Sequence, residues 1–268
     1  MTASLPDAAD LERARLALDV DGAVATITLS CPERRNAQTP RMWRTLARIG
    51  EHLPEDVRVV VVKGAGASFS AGLDVGLLTG DMPPGEESVS DLMHRSDQEV
   101  LDTIGDYQGG FTWLRDPRFL SIAQVHGHAI GAGFQLALSC DLRIVADDVR
   151  FCMKEPALGL VPDLTGTKPL VEVVGYARAL EICATARYVL ADEARELGLA
   201  TAVVPAADLD ATTADLTEAV LANAAAAVRE TKALLQGAAE HDLDGQRLRE
   251  REAQLRRFRE LSGGSPVT

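Results

Sequence analysis

Aromatic side chains are scarce, at 4% of 268 residues, so the core must be filled by the aliphatic and small residues that dominate the 46% apolar fraction. Alanine-rich composition of this kind favours helix and close backbone packing. Positive charge is also in deficit: 27 Lys and Arg stand against 40 Asp and Glu, a formal net charge of −13. That balance argues against a nucleic-acid binder, whose affinity rests largely on basic contacts to phosphate. It equally disfavours an anionic membrane surface. A small anionic ligand remains compatible if cations cluster locally. The four cysteines, Cys31, Cys140, Cys152 and Cys183, are widely spaced and show no C-x-x-C pair. Neither a disulfide framework nor a metal site is expected, and reduced thiols point to a cytoplasmic protein. No run approaches the roughly 20 apolar residues that span a bilayer. Residues 1–11 carry Asp7 and Asp10 without the apolar segment of a secretory signal, and are expected to be a loose tail.

The length fits one large domain, or one domain with a helical extension. Its most informative stretch runs from Gln124 to Asp141, Q-V-H-G-H-A-I-G-A-G-F-Q-L-A-L-S-C-D. A strand-like run, Ser121 to Val125, stops at Gly127. The small triplet Gly131-Ala132-Gly133 follows, and a buried helix begins there. Small residues where a strand hands over to a helix let the backbone approach a ligand, and unpaired N–H groups at that point favour negative charge. The stretch reads as half of an oxyanion hole; a tight packing turn is the plainer alternative. A second loop of the same kind, Lys63-Gly64-Ala65-Gly66-Ala67-Ser68-Phe69-Ser70-Ala71-Gly72-Leu73-Asp74, follows the β-branched run Val57 to Val62. Two such loops can supply two converging N–H groups. Neither carries a phosphate-loop or dinucleotide fingerprint.

Elsewhere, residues 13–20 and 24–29 alternate around the turn Asp21-Gly22, predicting a β-hairpin. Thr39-Pro40 opens a helix with Met42, Trp43, Leu46 and Ile49 on one face. Residues 79–91, rich in Gly, Pro and acid, are expected to be mobile, either a pocket gate or a surface insertion. A helix is expected over 89–108 and another over 111–115. Strands are expected at 142–146, 149–152 and 200–204, with a loop over 155–167 and helices near 168–175, 176–186 and 191–198. The pattern is helical from Ala207 onward. On the charged helix 244–261, Leu248, Leu255, Phe258 and Leu261 form a narrow apolar stripe that needs a cover.

In this order the pieces resemble the enoyl-CoA hydratase/isomerase (crotonase) superfamily. The residues that carry the resemblance are Arg35-Asn36-Ala37, Phe69 to Asp74, Gly127 with Gly131-Ala132-Gly133, Cys140-Asp141-Leu142-Arg143, and Phe151 through Glu155 to Asp163. The resemblance implies an α/β crotonase-like spiral of repeated ββα units over 1–206. It also implies a helical C-terminal region, 207–268, that forms homotrimers or homohexamers. The ligand would be an acyl-coenzyme A thioester, with no further cofactor. Its carbonyl oxygen would lie between the Leu73 and Ala132 amides. The coenzyme adenine and phosphates would lie near Arg34, Arg35, Ala37 and the loop holding Ala71, Leu73, Asp74 and Val75.

Family hydratases use two glutamates. The second matches Glu155, but the first position is Gln135, a neutral amide that cannot take up a proton at neutral pH. Asp163 falls where double-bond isomerases of the superfamily place a catalytic aspartate. Isomerisation of an enoyl- or dienoyl-CoA by Glu155 and Asp163 is the favoured expectation. The alternatives are a hydratase or another crotonase reaction using one glutamate, such as decarboxylation or thioester hydrolysis, and a non-catalytic acyl-CoA binder. Without the resemblance, Glu155 reads as a solvated partner of Lys154 and Asp163 as a helix cap. His126 and His128 read as hydrogen-bonded core histidines rather than catalytic ones, and Asp74 as a structural anchor of its own loop.

Overall fold

The computed structural model describes residues 4–82 and 85–263. The expected hairpin forms from β1 (Leu16–Asp21) and β2 (Val24–Leu29), in the register Leu16 to Leu29 and Asp21 to Val24. Ala25, Ile27 and Leu29 are fully buried while Val24, Thr26 and Thr28 are half-buried, as strand alternation requires. β3 (Val59–Gly64) pairs in parallel with β2 and has no such alternation because both of its faces are covered. Val60 and Val62 enter the main core, whereas Val59 and Val61 pack toward Leu209, Leu216 and Val220 of the helix Leu209–Leu221.

From here the chain winds as a spiral. β4 (Leu120–Val125) extends the large sheet, the backbone turns at Gly127, and β5 (His128–Ile130) starts a second sheet before the helix Ala132–Ser139. β6 (Leu142–Ala146) and β7 (Arg150–Cys152) repeat the move ahead of the helices Thr167–Val174 and Tyr176–Thr185. β8 (Val189–Leu190) and β9 (Ala202–Val204) complete the sheets, whose orders are β1-β2-β3-β4-β6-β9 and β5-β7-β8. After β3 there is no full second strand, yet Ser70 bridges Ala129 in parallel, so the first turn stacks on the next in the same way. Leu73 and Ala132 each lie three residues beyond this bridged pair. They are equivalent positions in adjacent turns of the spiral.

Several expectations need correction. Residues 8–13 are not a loose tail: Ala8–Arg13 is a helix whose first turn is capped by Asp7, with Asp10 N donating to Asp7 Oδ1 at 2.8 Å. Residues 1–3 lie outside the described residues. The helix expected over 89–108 is two, Val89–Met93 and Asp97–Thr112. Ser88 with Asp91 and Ser96 with Glu99 each close a capping box that starts a new helix. The segment 79–91, expected to be mobile, is fastened at Glu86 and Glu87; residues 83 and 84 lie outside the described residues. Glu86 accepts from Thr39 Oγ1 and Arg41 N, both at 3.0 Å, and Glu87 holds Arg44 through two bonds of 2.7 and 3.0 Å. Arg95 and the Tyr107 hydroxyl also donate to Glu87.

The C-terminal part comprises the helices Leu209–Leu221, Ala225–Gly237 and Leu243–Leu261. The stripe on the last one stays open in the single chain, with Phe258 60% and Leu261 77% exposed. Among the described residues, no helix is long and apolar enough to cross a membrane.

Candidate active site

The glycine-rich loop after β3 is shaped by a buried polar network rather than by its glycines alone. Asn36 Nδ2 donates to the carbonyls of Ala65, Ser68 and Phe69, at 2.8, 2.8 and 3.2 Å, while its Oδ1 accepts from Cys31 N at 2.9 Å. Ser70 Oγ donates to Asn36 O at 2.8 Å and accepts from Gly72 N at 3.2 Å. Trp43 Nε1 donates to Gln38 Oε1 at 2.8 Å, and Gln38 Nε2 donates to Ser70 Oγ at 3.1 Å. The main chain is stitched as well: Ala71 N donates to Arg35 O, Gln38 N to Gly72 O and Asp74 N to Gln38 O.

Asp74, 1% exposed, finishes the loop from inside. Its carboxylate meets Arg15 at 2.8 Å, Arg34 at 2.7 Å and Gly76 N at 3.1 Å. Burial alone would raise its pKa, but Arg15, Gly76 N and Arg34 together hold it below the ordinary carboxylate range. The side chain of Asp74 is turned into the protein as the anchor of its own loop, the plainer of its two sequence readings, rather than outward toward a coenzyme, and Arg34 is engaged with it.

The second bend lies against the first. At Gly72 a Cβ would fall 2.3 Å from Ile130 O and 3.5 Å from Ala132 N. Gly131 has φ 51° and ψ −118°, a conformation that side-chain-bearing residues do not adopt. Its N–H donates to Cys152 O at 2.8 Å, which ties the bend to β7. Among the described residues neither Leu73 N nor Ala132 N, the first residue of its helix, donates to a protein acceptor. Two adjacent bends thus present two amides with unused donors.

Leu73 and Ala132 both line one cavity of about 570 Å³. Glu155 and Asp163 line the same cavity, and so do Ala71, Val75 and Lys154. Trp43, Leu92, Ile104, Tyr107 and Leu164 give it apolar walls. Val75, Met93 and Val161 stand at its border 65%, 79% and 72% exposed, so its mouth is apolar too. Arg34, Arg35 and Ala37 are not part of the lining; they sit behind the loop, and Arg35 has no carboxylate partner among the described residues.

Glu155 is 9% exposed. Its Oε1 accepts from Gln135 Nε2 at 2.7 Å, and its buried Oε2 has no hydrogen-bond partner among the described residues. Burial pushes its carboxyl above the usual range, the Gln135 amide opposes the rise, and the charge of Asp163 adds to it. Burial raises Asp163 as well. Glu155 is therefore not a solvated partner of Lys154. Asp163 does not cap a helix either: the following helix starts at Thr167 with Gly166 before it. Perturbed carboxyls in a cleft mark a functional site. His126 and His128 lie outside the cavity; His126 Nε2 is 2.8 Å from Gly66 O, and His128 Nδ1 is 3.3 Å from Ser68 Oγ. Sequence reasoning missed Gln38, which carries the Trp43-to-Ser70 relay, and Tyr107 as a wall. Neither belongs to a pattern whose spacing signals a site.

A spiral of strand pairs, two free amides at equivalent positions, and a buried glutamate with a half-buried aspartate on one largely apolar cavity define the crotonase fold. The comparisons agree. The sequence pattern described as "Enoyl-CoA hydratase/isomerase" matches residues 19–262, and the chain belongs to that family. A Thermobifida fusca YX protein, provisionally named an enoyl-CoA hydratase and solved with CoA, is 52% identical. It superposes with a TM-score of 0.94 over 98% of this chain and 100% of its own. The same protein with acetoacetyl-CoA gives 0.93 at 53% identity over 96% and 100%. The mitochondrial Δ(3,5)-Δ(2,4)-dienoyl-CoA isomerase of Rattus norvegicus is 35% identical over 69% of this chain; the match spans 57% of that longer protein. A short-chain-enoyl-CoA hydratase of Clostridium acetobutylicum is 29% identical over 87% of this chain and 85% of its own length.

Proposed function

We propose that this enzyme binds acyl-CoA thioesters and moves a double bond within the acyl group. The observation that carries the reading is the meeting of Glu155 and Asp163 with the Leu73 and Ala132 amides in one cavity, where the remaining family acid position holds Gln135. The thioester carbonyl accepts from Leu73 N and Ala132 N. A carboxylate, Glu155 or Asp163, removes a proton from the carbon next to the carbonyl. The electron pair moves into the carbonyl, and the two amides stabilise the resulting enolate oxygen; one such donor is worth ~3 kcal/mol in the transition state. The proton returns further along the chain, at C4 of a 3-enoyl or C6 of a 3,5-dienoyl group. No water is consumed, so a second water-handling glutamate is not needed.

The apolar walls and mouth suit an acyl chain. Arg35 beside the loop, without a carboxylate partner among the described residues, together with Ala37, Ala71 and Val75, suits the coenzyme phosphates and adenine. Asp74, and Arg34 through it, serve that surface by fixing the loop. The open stripe of the last helix supports a homotrimer or homohexamer built on 207–268. Four unbonded cysteines are in keeping with a reducing, cytoplasmic compartment.

The experiment is a panel of 3-enoyl- and 3,5-dienoyl-CoA thioesters followed by the ultraviolet absorbance of conjugation. Turnover that disappears in the Glu155→Gln, Asp163→Asn double variant supports the proposal. No turnover on any member, or full activity in the double variant, sinks it. A single-glutamate hydratase is the second reading, favoured by the likeness to the Clostridium enzyme. Hydration of crotonyl-CoA outpacing every isomerisation would select it.

A further inference from the structure

Gln135 is fully buried, and both polar atoms of its amide are engaged. Oε1 accepts from Leu164 N at 2.9 Å and from Gly166 N at 3.1 Å, while Nε2 donates to Glu155 Oε1 at 2.7 Å. Two backbone donors converging on one atom decide which way the amide points. The flipped orientation would set its NH2 against two N–H groups and leave its oxygen facing a carboxylate. Glu155 therefore always meets a donor at Oε1, and its Oε2 is left without a partner. The loop that Gln135 grips carries Asp163 and holds Thr165 at φ 69°, which a β-branched residue adopts only under constraint. It sits flush on the amide: a Cβ at Gly166 would lie 2.6 Å from Gln135 Cγ.

We propose that Gln135 is the positioning residue of the site: one side chain clamps the Asp163 loop with its oxygen and orients Glu155 with its nitrogen, setting the two carboxyls as a unit. Oε2 is then the oxygen through which Glu155 exchanges its proton. The use of that unit rests on the proton-shuttle reading above; the clamp does not, and it is tested in the free protein without turnover.

Two variants divide the roles. Gln135→Met keeps the volume but neither accepts nor donates. Gln135→Glu keeps an oxygen for Leu164 N and Gly166 N and replaces the donor facing Glu155 with a second carboxyl oxygen. The titratable and charged groups around Glu155 are Asp163, Cys152, Cys183 and the adjacent Lys154. Burial raises Asp163 along with Glu155, and it pushes both thiols up from their ordinary value, away from the carboxyls. Hydrogen exchange reads the clamp. Leu164 and Gly166 amides exchange about tenfold faster or more in Gln135→Met and stay protected in Gln135→Glu. Carbon-detected NMR titration of Glu155 reads the orientation. Its midpoint rises in both variants, and by about one unit or more in Gln135→Glu, where two carboxyls share a proton.

Where a substrate is turned over, Gln135→Met lowers kcat with little change in KM. A Glu155 midpoint unmoved in both variants, or wild-type protection of both amides in Gln135→Met, overturns the proposal. If only Gln135→Glu folds, its Glu155 titration decides alone. An inert substrate panel with these shifts present would refute the isomerase reading and leave the clamp standing.

Discussion

Lys232 Nζ lies 2.7 Å from Asp141 Oδ2 in a setting that leaves the lysine side chain 8% exposed. The same ammonium donates to Asp116 O and Phe119 O, each at 2.7 Å, and sits 5.3 Å from the centre of the Phe119 ring. Asp141 also accepts from Ser121 N and Oγ. Burial lowers the Lys232 pKa and the Asp141 charge opposes that shift. This contact fastens the helix Ala225–Gly237 to the starts of β4 and β6, and so joins the C-terminal helices to the spiral. Lys232→Met strands one carboxylate and two carbonyls. The expected loss is about 2–4 kcal/mol in denaturant unfolding, as for a broken buried pair.

Glu155 is held at a cost to the fold. Its pKa in the folded state lies above the unfolded value of 4.5, so the folded state binds its proton more tightly. Stability falls as pH climbs from the unfolded toward the folded pKa. Glu155→Gln is expected to raise Tm at pH 7 while lowering kcat by a factor of about 10²–10⁴. Its stability advantage should vanish as pH drops below the ordinary carboxylate range. Thermal scans across pH check this directly.

The acidic limb of the pH–rate profile should report the same environment. Both carboxyls are raised, mainly by burial, so the basic form appears only above the usual carboxylate range. Asp163 adds to the rise of Glu155 by its negative charge. Asp163→Asn is therefore expected to move the limb to lower pH in whatever activity survives, as profiles of kcat/KM would record.

Gly131→Ala tests the bend itself. The new methyl would lie 3.1 Å from Glu155 Oε1, on a backbone whose φ is 51°. Strain of about 1–3 kcal/mol is expected in unfolding, together with a kcat loss of about a hundredfold from displaced groups. Gly72→Ala meets Ile130 O at 2.3 Å and should be worse in both measurements, because it pries the two bends apart.

Asp74→Asn weakens the hold on Arg15 and Arg34. The folded pKa of Asp74 is depressed, so its stabilisation is present above the unfolded value of 3.8 and is lost as pH falls through the folded one. Asp74→Asn should cost about 1–2 kcal/mol at pH 7, discounted for the exposure of Arg34. It should also raise KM for the thioester, and both differences should close in acid.

Much of this was legible in the residues. The Asp21-Gly22 hairpin, the Thr39-Pro40 helix start and the buried run before Lys63 are local signals, and the fold honours each. The two bends were found because strand-to-helix glycines have a local cause. Three things were harder to read. The break at Ser96 is written in one capping box, Ser96 with Glu99, inside a stretch that reads as a single helix over 89–108. β5 is three residues long and exists only because β7 and Ser70 flank it. The clamp at Gln135 depends on Leu164 and Gly166, some thirty residues away, and no spacing rule connects an amide to backbone donors across that distance.

The equivalence of Leu73 and Ala132 across the Ser70–Ala129 bridge has an evolutionary reading. Their donors are peptide groups, so no exchange of side chain short of proline can delete them. Mutation can rewrite residues 135, 155 and 163 while those two donors persist. A scaffold of this sort can change trades without first losing its tools.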